Sequence, residues 1–375
     1  MKIAFISCSS GIVYRGVETF VHELANGLAK NNTVVVYQGG PELTGTKYKT
    51  VQVKIDASWS KENGLRSLSK SLLRDFSLSN FIRRFYLDYW NRKQGEFTLK
   101  ALKLMEKDTD IVVIAGSGWV SLFCRIWTWL NHKKLIIAGQ SGPGWDDRIS
   151  LWCRPDVFVA LSRHAAVWAK EAGFGVPVSV IHNGVNLNTY RPEILPAKIN
   201  LPRPLFVCVA ALEPAKRVDL TIKAVGKLKS GSLLVMGDGQ SKSSLEKLAG
   251  DLLPGRFQTR YVKPEEMPSF YSAADCVTMA PFGYESFGIV FVEAMACNKP
   301  VVASDDPIRR EIVGDAGILV DPENTGEYAG ALQKALDKDW GDIPRKQAEK
   351  FSWDNIAKQY DELFKRILDR GQNDV

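Results

Sequence analysis

The sequence predicts an α/β protein built on two parallel sheets. Short apolar runs alternate with amphipathic stretches, and this order is typical of parallel strands covered on both faces by helices. The alternation ends in a proline-containing stretch and then restarts. The restart, with a length of 375 residues and 45% hydrophobic residues, favours two domains with a core each.

The first half of the chain contains the runs expected of the first sheet. The opening run at residues 2–8 precedes a stretch whose apolar residues, from Val17 to Leu28, recur at the helical spacings of three and four. Because later runs follow the same alternation, they are predicted to extend the same sheet. These further strands are predicted at residues 34–37, 111–115, 135–138, 157–161 and 178–181.

The second half repeats the pattern, with strands predicted at residues 205–209, 232–236, 276–279 and 300–303. Four prolines in an unpatterned run between residues 188 and 204 are typical of a linker. We therefore predict domains at residues 1–190 and 200–352. The apolar stripe of residues 353–368 predicts a last helix, within residues 353–375, that crosses back to the first domain.

Composition narrows the class of protein. Six single cysteines without a C-x-x-C pair indicate neither a zinc site nor a disulfide framework, and they suit a reducing cytosol. The apolar opening residues break into Ser7-Cys8-Ser9-Ser10-Gly11, so we expect no signal peptide and no segment that crosses a bilayer. The net charge of +7 is mild for this length. The basic residues form no compact motif with base-stacking aromatics, which argues against nucleic-acid binding.

Two carboxylates, Glu285 and Glu293, bracket a mostly apolar run. If a helix begins near Ser286, its first free N–H groups and the positive end of its dipole point at one spot, which suits a phosphate. Glu293 would lie roughly 10 Å further along the axis, so a carboxylate could hold hydroxyls on each side of a diphosphate. For an arbitrary pair of glutamates at this spacing, two solvated side chains on one helix are a commoner explanation than a ligand site. Here the surrounding sequence decides between the two explanations. The amides concerned are those of Phe287, Gly288 and Ile289.

Motifs along the whole chain resemble those of retaining glycosyltransferases of the GT-B fold, in glycosyltransferase family 4. Each motif alone is weak, but their order is specific. The resemblance implies two Rossmann-like domains whose parallel sheets face a central cleft, an acceptor-side domain first and a nucleotide-sugar-binding domain second. The matching segments are Gly16-Val17-Glu18, residues 181–186, Leu212-Glu213-Pro214-Ala215-Lys216, residues 235–239, residues 285–296 and residues 300–303.

The resemblance implies roles for residues of the second domain. Glu285 would contact the transferred sugar, Glu293 would hold the ribose hydroxyls, and the three amides would bind the diphosphate. Lys216 would neutralise charge on the leaving nucleoside diphosphate. Gly237 belongs to a matching glycine-containing loop on the nucleotide side. The family often has an arginine shortly before this lysine, where this chain has Ala211, and it stays open whether Arg217 replaces that contact.

The first domain departs from the family in two places. Gly16 lies in the first loop, where small residues let backbone approach phosphate and acceptor, but Arg15 precedes it where the family usually has a second glycine. Many relatives have a histidine after the strand at residues 135–138, and this chain has Gln140. Gln140 could hydrogen-bond the donor sugar but cannot exchange a proton.

Nearby Asp146 and Asp147 could orient an acceptor, although capping of the next helix is favoured. For Glu18, stabilisation of the start of its own helix through the dipole is at least as good an explanation as contact with a ligand.

By resemblance, the reaction would be a front-face, retaining transfer of a hexose-type sugar from a UDP- or GDP-linked donor. Catalysis would then depend on positioning and charge stabilisation, without a metal ion or other cofactor. The alternatives are a nucleotide-sugar epimerase, which the absence of a histidine near the sugar disfavours, and a non-catalytic nucleotide-sugar-binding protein.

The acceptor is predicted to be a glycan or a lipid-linked saccharide, as in the building of a surface polysaccharide. Residues 61–96 contain eight basic and four acidic residues beside an apolar stripe. This pattern predicts a basic amphipathic helix. The helix either lies on an anionic membrane surface or packs on the first domain with a solvated basic face, and the sequence favours neither interpretation over the other. The tryptophan-rich run at residues 119–130 slightly favours lipid or a lipid-linked acceptor, and a buried helix explains it almost as well. We therefore expect a cytoplasmic protein, with attachment to the inner face of the membrane as an open alternative.

Overall fold

The computed structural model describes residues 1–13, 15–56, 85–282 and 285–373. It divides into two compact units, which are described separately. Unit 1 comprises Met1–Ile181 together with the chain from Ile356 onward, and unit 2 comprises His182–Asn355.

Unit 1 contains a seven-stranded sheet in the order β3-β2-β1-β4-β5-β6-β7. All of its pairings are parallel. Within the described ranges, five helices connect or follow the strands before the chain enters unit 2. The strands are β1 (Lys2–Ser7), β2 (Thr33–Gln38), β3 (Lys49–Gln52), β4 (Ile111–Ile114), β5 (Lys134–Gly139), β6 (Val157–Ala160) and β7 (Val178–Val180), and the helices are α1 (Gly16–Leu28), α2 (Tyr89–Leu104), α3 (Trp119–Leu130), α4 (Trp145–Trp152) and α5 (Arg163–Glu171).

Unit 2 contains a six-stranded sheet in the order β10-β9-β8-β11-β12-β13, again with parallel pairings throughout. The 3₁₀ turns Pro214–Lys216 and Gly314–Ala316 lie among its helices. The strands are β8 (Leu205–Val209), β9 (Ser232–Met236), β10 (Phe257–Arg260), β11 (Cys276–Met279), β12 (Val301–Ser304) and β13 (Gly317–Val320), and the helices are α6 (Val218–Gly226), α7 (Lys242–Leu252), α8 (Met267–Ala273), α9 (Ile289–Ala296), α10 (Pro307–Val313), α11 (Thr325–Asp337) and α12 (Ile343–Glu349).

Four strands inside the two sheets are buried along their whole length. All four residues of β4, β6, β11 and β12 are buried. This is the burial expected when parallel strands are joined by helical crossovers. The prediction of an α/β fold with two parallel, Rossmann-like sheets is confirmed.

The last helix, α13 (Trp353–Asn373), begins in unit 2 and belongs to unit 1 from Ile356 onward. Within unit 1, the buried ring of Tyr360 packs edge-on against Phe20 of α1, with 6.1 Å between the ring centroids. Asn32 Nδ2 donates a hydrogen bond of 2.8 Å to Asp361 Oδ1. Ile356, Tyr360, Leu363 and Phe364 of the apolar stripe are therefore buried in the core of unit 1, and Ile367 is partly buried.

The basic segment at residues 61–96 is only partly within the described residues. Residues 61–84 lie outside them, so the predicted amphipathic helix there is not tested. The remainder enters α2, which Asp88 caps by accepting a hydrogen bond from the N–H of Asn91 at 3.1 Å. Among the helices of the described ranges, none combines the length and the apolarity that crossing a bilayer requires.

Candidate active site

The strand order of unit 2 defines where a ligand would bind. The strands β8 and β11 are neighbours, and the chain moves from β8 to one side and from β11 to the other. In open parallel sheets, ligands bind beyond the carboxyl ends of the strands at such a switch point. Lys216 follows β8 and Glu285 follows β11, so both predicted residues lie in the two loops that border this point.

These two loops are joined directly. The N–H of Phe282 donates to the carbonyl of Ala215 at 3.1 Å. The ammonium group of Lys216 donates a hydrogen bond to the carboxylate of Glu285 and forms an ion pair with it. Both side chains are partly exposed, at 28% for Lys216 and 17% for Glu285. A cation and a carboxylate thus meet at the mouth of the switch point, where each is accessible to a ligand.

The backbone of Glu285 is fixed as well as its side chain. Its N–H donates to the carbonyl of Phe282 at 3.1 Å. Its own carbonyl accepts a hydrogen bond of 2.7 Å from Nη1 of Arg309, a residue of α10 whose side chain is completely buried. Sequence reasoning missed Arg309, because nothing in the pattern of residues 307–313 distinguishes a buried arginine from the exposed Arg310 beside it.

The helix after Glu285 begins later than predicted. We expected a start near Ser286, but α9 begins at Ile289. Gly288 adopts a left-handed conformation with φ of +83°, which ends any helical continuity with the preceding residues. A Cβ at this position would lie 2.6 Å from the ring of Phe291, so the tight approach of that ring also requires glycine. Phe287 is buried, and its ring centroid lies 5.9 Å from that of Phe351.

This later start changes which amides a ligand could reach. The first hydrogen bond of α9 runs from the N–H of Phe291 to the carbonyl of Gly288 at 3.0 Å. The amides of Ile289 and Val290 come before it and lie at the positive end of the helix. Ile289 therefore keeps the position predicted for it, whereas Phe287 and Gly288 belong to the preceding turn. Glu293 lies about 6 Å along the axis from Ile289.

Glu293 is almost fully buried, and it is held by tyrosines. Tyr271 of α8 donates its hydroxyl to Oε2 of Glu293 at 2.7 Å, and the carboxyl also hydrogen-bonds Tyr190. Burial raises the pKa of Glu293 to about 7, although both tyrosine hydrogen bonds oppose this shift. Burial likewise raises the pKa of Tyr271 well above its ordinary value. Neither tyrosine could be identified from the sequence, because both reach Glu293 only through packing.

Gly237 and Arg217 have structural roles in the same region. A Cβ on Gly237 would lie 1.9 Å from the carbonyl oxygen of Ala210, so glycine allows the loops after β9 and β8 to approach. The guanidinium of Arg217 donates to the carbonyls of Ala280 at 2.8 Å and Pro281 at 2.9 Å, and it stacks over the ring of Phe282 at 4.5 Å. Arg217 therefore ties the loop after β8 to the loop after β11.

In unit 1, the first loop leads from β1 into α1, whose first residue is Gly16. A Cβ on Gly16 would meet no described atom within 4 Å, so packing does not require glycine there. Glu18 is buried and accepts a hydrogen bond from the hydroxyl of Ser9. Among the described residues, its second oxygen has no hydrogen-bond partner. Glu18 thus faces the loop after β1 in addition to lying in the first turn of its helix.

Gln140 directly follows β5, as predicted. The preference for Asp146 and Asp147 as helix caps is wrong, because α4 begins at Trp145 after Gly144 and both aspartates lie inside its first turn. Asp147 is buried and accepts hydrogen bonds from the backbone N–H groups of Ser141 and Gly142. Burial raises the pKa of Asp147 to about 7. Asp146 accepts a hydrogen bond of 2.6 Å from the hydroxyl of Tyr86.

Comparisons with known proteins agree with this architecture. A solved structure of Anabaena HepE in complex with UDP-glucose superposes with a TM-score of 0.73 at 17% identity, covering 98% of this chain and 100% of that one. A structure of a TarM mutant from S. aureus in complex with fondaparinux, alpha-GlcNAc-glycerol and UDP gives 0.70 at 13% identity and covers 97% of this chain and 99% of that one. At such identities the likeness shows the fold, which is GT-B.

The sequence comparisons define the family. Residues 14–189 match the model for glycosyltransferase family 4, and residues 193–353 match the model for glycosyl transferases group 1. The chain therefore belongs to the family 4 glycosyltransferases of the GT-B fold. The D-inositol 3-phosphate glycosyltransferase of Mycolicibacterium smegmatis is 31% identical over 194 residues, which is 47% of this chain and 44% of that protein. The chain spans about half the length or less of the curated relatives it matches.

Proposed function

We propose that this chain transfers a hexose-type sugar from a UDP- or GDP-linked donor to a glycan or lipid-linked acceptor, with retention and without a metal ion. The arrangement of Lys216, Glu285 and the first amides of α9 around the switch point of unit 2 supports this proposal most directly. It combines a cation, free N–H groups and a carboxylate, which suit a diphosphate attached to a sugar. The likeness to a fold neighbour solved with UDP-glucose agrees with such a donor.

In this proposal unit 2 binds the donor. The amides of Ile289 and Val290 and the ammonium of Lys216 hold the diphosphate, and Glu285 contacts the sugar. Glu293 holds the ribose hydroxyls, which requires a rearrangement of its hydrogen bonds with Tyr190 and Tyr271. In unit 1, Gly16 lets the first loop approach phosphate and acceptor, and Gln140 hydrogen-bonds the donor sugar without exchanging a proton.

The reaction that fits these groups is a front-face substitution. The bond between the anomeric carbon and the diphosphate oxygen breaks, and the acceptor oxygen forms its bond to carbon on the same face. The departing diphosphate takes the proton of the acceptor hydroxyl. Lys216 stabilises the charge that develops on the diphosphate, and such preorganised charge is commonly the largest contribution to catalysis. The ion pair with Glu285 holds Lys216 in place before the donor arrives.

The test is release of nucleoside diphosphate from a panel of UDP-, GDP- and ADP-sugars in the presence of EDTA. We expect slow hydrolysis of one donor, abolished in Lys216→Ala and in Glu285→Gln. Both variants should keep the wild-type melting temperature within a few degrees, because a partly exposed ion pair contributes about 0–1 kcal/mol to stability. Lys223→Ala, in an exposed ion pair with Asp219 on α6, is the matched control and should retain activity.

Each other outcome has a definite meaning. Turnover that stops on chelation and returns with Mg²⁺ or Mn²⁺ contradicts the metal-independent route. Conversion of the donor sugar into its epimer identifies an epimerase. Tight donor binding without turnover, even with candidate saccharide acceptors, identifies a binding protein, for which the departures at Ala211 and Gln140 would account. No binding of any donor contradicts the site itself.

A membrane-surface location is the second part of the proposal. On α3, Ile126, Trp129 and Leu130 are exposed, with Trp129 at 68%, and Lys133 follows the helix. Exposed tryptophan beside lysine suits an anionic bilayer surface. We expect the protein to sediment with vesicles containing phosphatidylglycerol and not with pure phosphatidylcholine, and Trp129→Ser to weaken this. Val167→Ser, at another exposed apolar residue, is the control, and equal sedimentation of all three proteins contradicts the location.

A further inference from the structure

Among the described side chains of unit 2, Arg309 is the largest that is completely buried. Its Nε donates to Oδ2 of Asp306 at 2.7 Å, and its Nη1 donates to the carbonyl oxygen of Glu285 at 2.7 Å. Within the part of the chain that the structure describes, no hydrogen-bond partner lies within reach of Nη2. The guanidinium therefore bridges two segments: the start of α10 and the loop that carries Glu285.

The surroundings of Arg309 do not explain its presence through stability. Removing a guanidinium from water is costly, and this arginine recovers only part of the cost because one of its nitrogens lacks a partner among the described residues. Replacing both partners of a buried ion pair with apolar residues of similar volume is often neutral or stabilising, so the pair of Arg309 with Asp306 is weak evidence for a role in stability. Asp306 also has a role besides this pair, because its Oδ1 caps α10 by accepting from the backbone N–H groups of Ile308 and Arg309 at 3.0 Å.

The bond to Glu285 is the contact that Arg309 provides to the candidate site. The loop between β11 and α9 has no regular structure of its own at this residue, and its backbone is held there by the hydrogen bond to Phe282 and by Arg309. The carboxylate of the same residue meets Lys216. Fixing the carbonyl of Glu285 therefore fixes the direction in which its side chain leaves the loop.

We propose that Arg309 is the positioning residue for Glu285: from the interior of unit 2 it holds the backbone of the loop so that the Glu285 carboxylate meets the sugar of the donor. This inference rests on the proposed function for the role of Glu285, but the contact itself can be tested without turnover. Arg309 acts through Glu285 and does not touch the substrate.

The test compares Arg309→Met and Arg309→Lys with the neighbouring control Arg310→Met. Arg310 is exposed on the same helix and pairs in a two-point manner with Asp305, at 2.6 and 2.8 Å, so its variant removes an arginine of α10 without touching the loop. Hydrogen–deuterium exchange of peptides covering residues 282–291 is measured in the protein without ligand. Donor turnover is measured on the same preparations, with kcat and KM determined separately.

In Arg309→Met we expect exchange at residues 282–291 to become at least tenfold faster while the rest of unit 2 is unchanged, and kcat to fall at least tenfold with KM changed less than threefold. Arg309→Lys, which can reach only one of the two acceptors at a time, should lie between wild type and Arg309→Met. Arg310→Met should match wild type in both measurements.

Three results overturn the inference. Unchanged exchange in Arg309→Met would show that the loop does not depend on this arginine. Faster exchange throughout unit 2, or failure of both Arg309 variants to fold, would show that the residue supports the fold as a whole. A loosened loop with unchanged kcat in an active wild-type background would show that positioning is irrelevant to the reaction. If the wild-type protein itself lacks turnover, the proposed function fails, and the exchange measurement still decides the contact.

Discussion

At the scale of single residues, Glu293 and Asp147 have surroundings that favour their protonated forms. Burial raises both pKa values to about 7, from ordinary values of 4.5 and 3.8. Because the folded-state pKa is the higher one, each group contributes to stability while it is protonated. That contribution is complete below the ordinary value and is lost as the pH rises through about 7. The folded protein should therefore lose stability between about pH 4 and pH 7 on account of these two groups.

We expect Glu293→Gln, which imitates the protonated acid, to remove the part of the pH dependence of stability that Glu293 causes and to leave the part that Asp147 causes. Relative to wild type, the variant should gain roughly 2 kcal/mol of unfolding free energy between pH 5 and pH 8. Urea denaturation at pH 5, 6, 7 and 8 measures the difference. The exposed Glu362 provides the control Glu362→Gln, which should show no such trend. A constant difference between Glu293→Gln and wild type at all four pH values would mean that Glu293 titrates normally.

The exposed Ala211 stands where the family often has an arginine. Arg217 does not replace that arginine, because its guanidinium already donates hydrogen bonds to the carbonyls of the loop after β11. We expect Ala211→Arg to tighten binding of the preferred nucleotide sugar about tenfold, through one charge-assisted contact with the diphosphate. Titration calorimetry measures the affinity. Ala211→Gln, which adds length without charge, should change it little, and equal affinity in all three proteins would contradict the expectation.

At the scale of elements, Gly288 sets the start of α9. Its φ of +83° disfavours a side chain, and so does the ring of Phe291, which would lie 2.6 Å from an added Cβ. We expect Gly288→Ala to lower the free energy of unfolding by roughly 2–3 kcal/mol and to weaken donor binding, as judged by urea denaturation and calorimetry.

The control for this change is Gly330→Ala, in the interior of α11, where a Cβ meets no described atom within 4 Å. Alanine is a better helix former than glycine, so this variant should gain up to about 1 kcal/mol. If both variants changed stability in the same direction and by the same amount, the special conformation of Gly288 would have no energetic importance.

The elements that could be predicted from the sequence are those with apolar runs. The predicted bounds of β8 and β9 agree with the structure, and both strands are buried along nearly their whole length. The strands β3, β10 and β13 were not predicted. They lie at sheet edges, and their residues are partly buried or exposed. No continuous apolar run identifies β3 or β10, whereas Ile318, Leu319 and Val320 of β13 do form one, which was overlooked. Edge strands depend on pairing with a neighbour, which a sequence pattern does not display.

The residues of the candidate site also fall into two groups: those that could be named from the sequence and those that could not. Glu285 was named from its spacing to Glu293 and from the family resemblance, and Lys216 and Gln140 were named from the resemblance. The structure places all three after strands, where ligands bind in parallel sheets. The start of α9 was misplaced because Ser286 is an ordinary helix-capping residue, whereas the turn is decided by the packing of Phe287 and Phe291. Tyr271 and Arg309 were missed because their contacts join separate elements.

At the scale of the whole molecule, the chain returns to unit 1 through α13. The buried Tyr360 packs on Phe20 and lies 5.7 Å from Phe364 between ring centroids. We expect Tyr360→Ala to cost roughly 3–5 kcal/mol of stability through loss of a large buried ring. Because the loss falls in the core of unit 1, hydrogen exchange should accelerate there before it does in unit 2.

Lys358→Ala, on the exposed face of α13, is the control and should leave both units unchanged. Equal acceleration of exchange in both units of Tyr360→Ala would instead mean that the two unfold as one cooperative block. The comparison therefore measures how far the stability of one unit depends on the other.

The division of the chain also sets an order of events during synthesis. Unit 2 ends at Asn355, whereas unit 1 needs the residues from Ile356 onward. On the ribosome, the half whose synthesis starts first is thus the half completed last. Until α13 emerges, Phe20 lacks the ring of Tyr360 as its neighbour, and the nascent first sheet leaves part of its apolar surface uncovered. A chaperone that binds such surfaces would therefore bind unit 1, at a stage when all residues of unit 2 have already been synthesised.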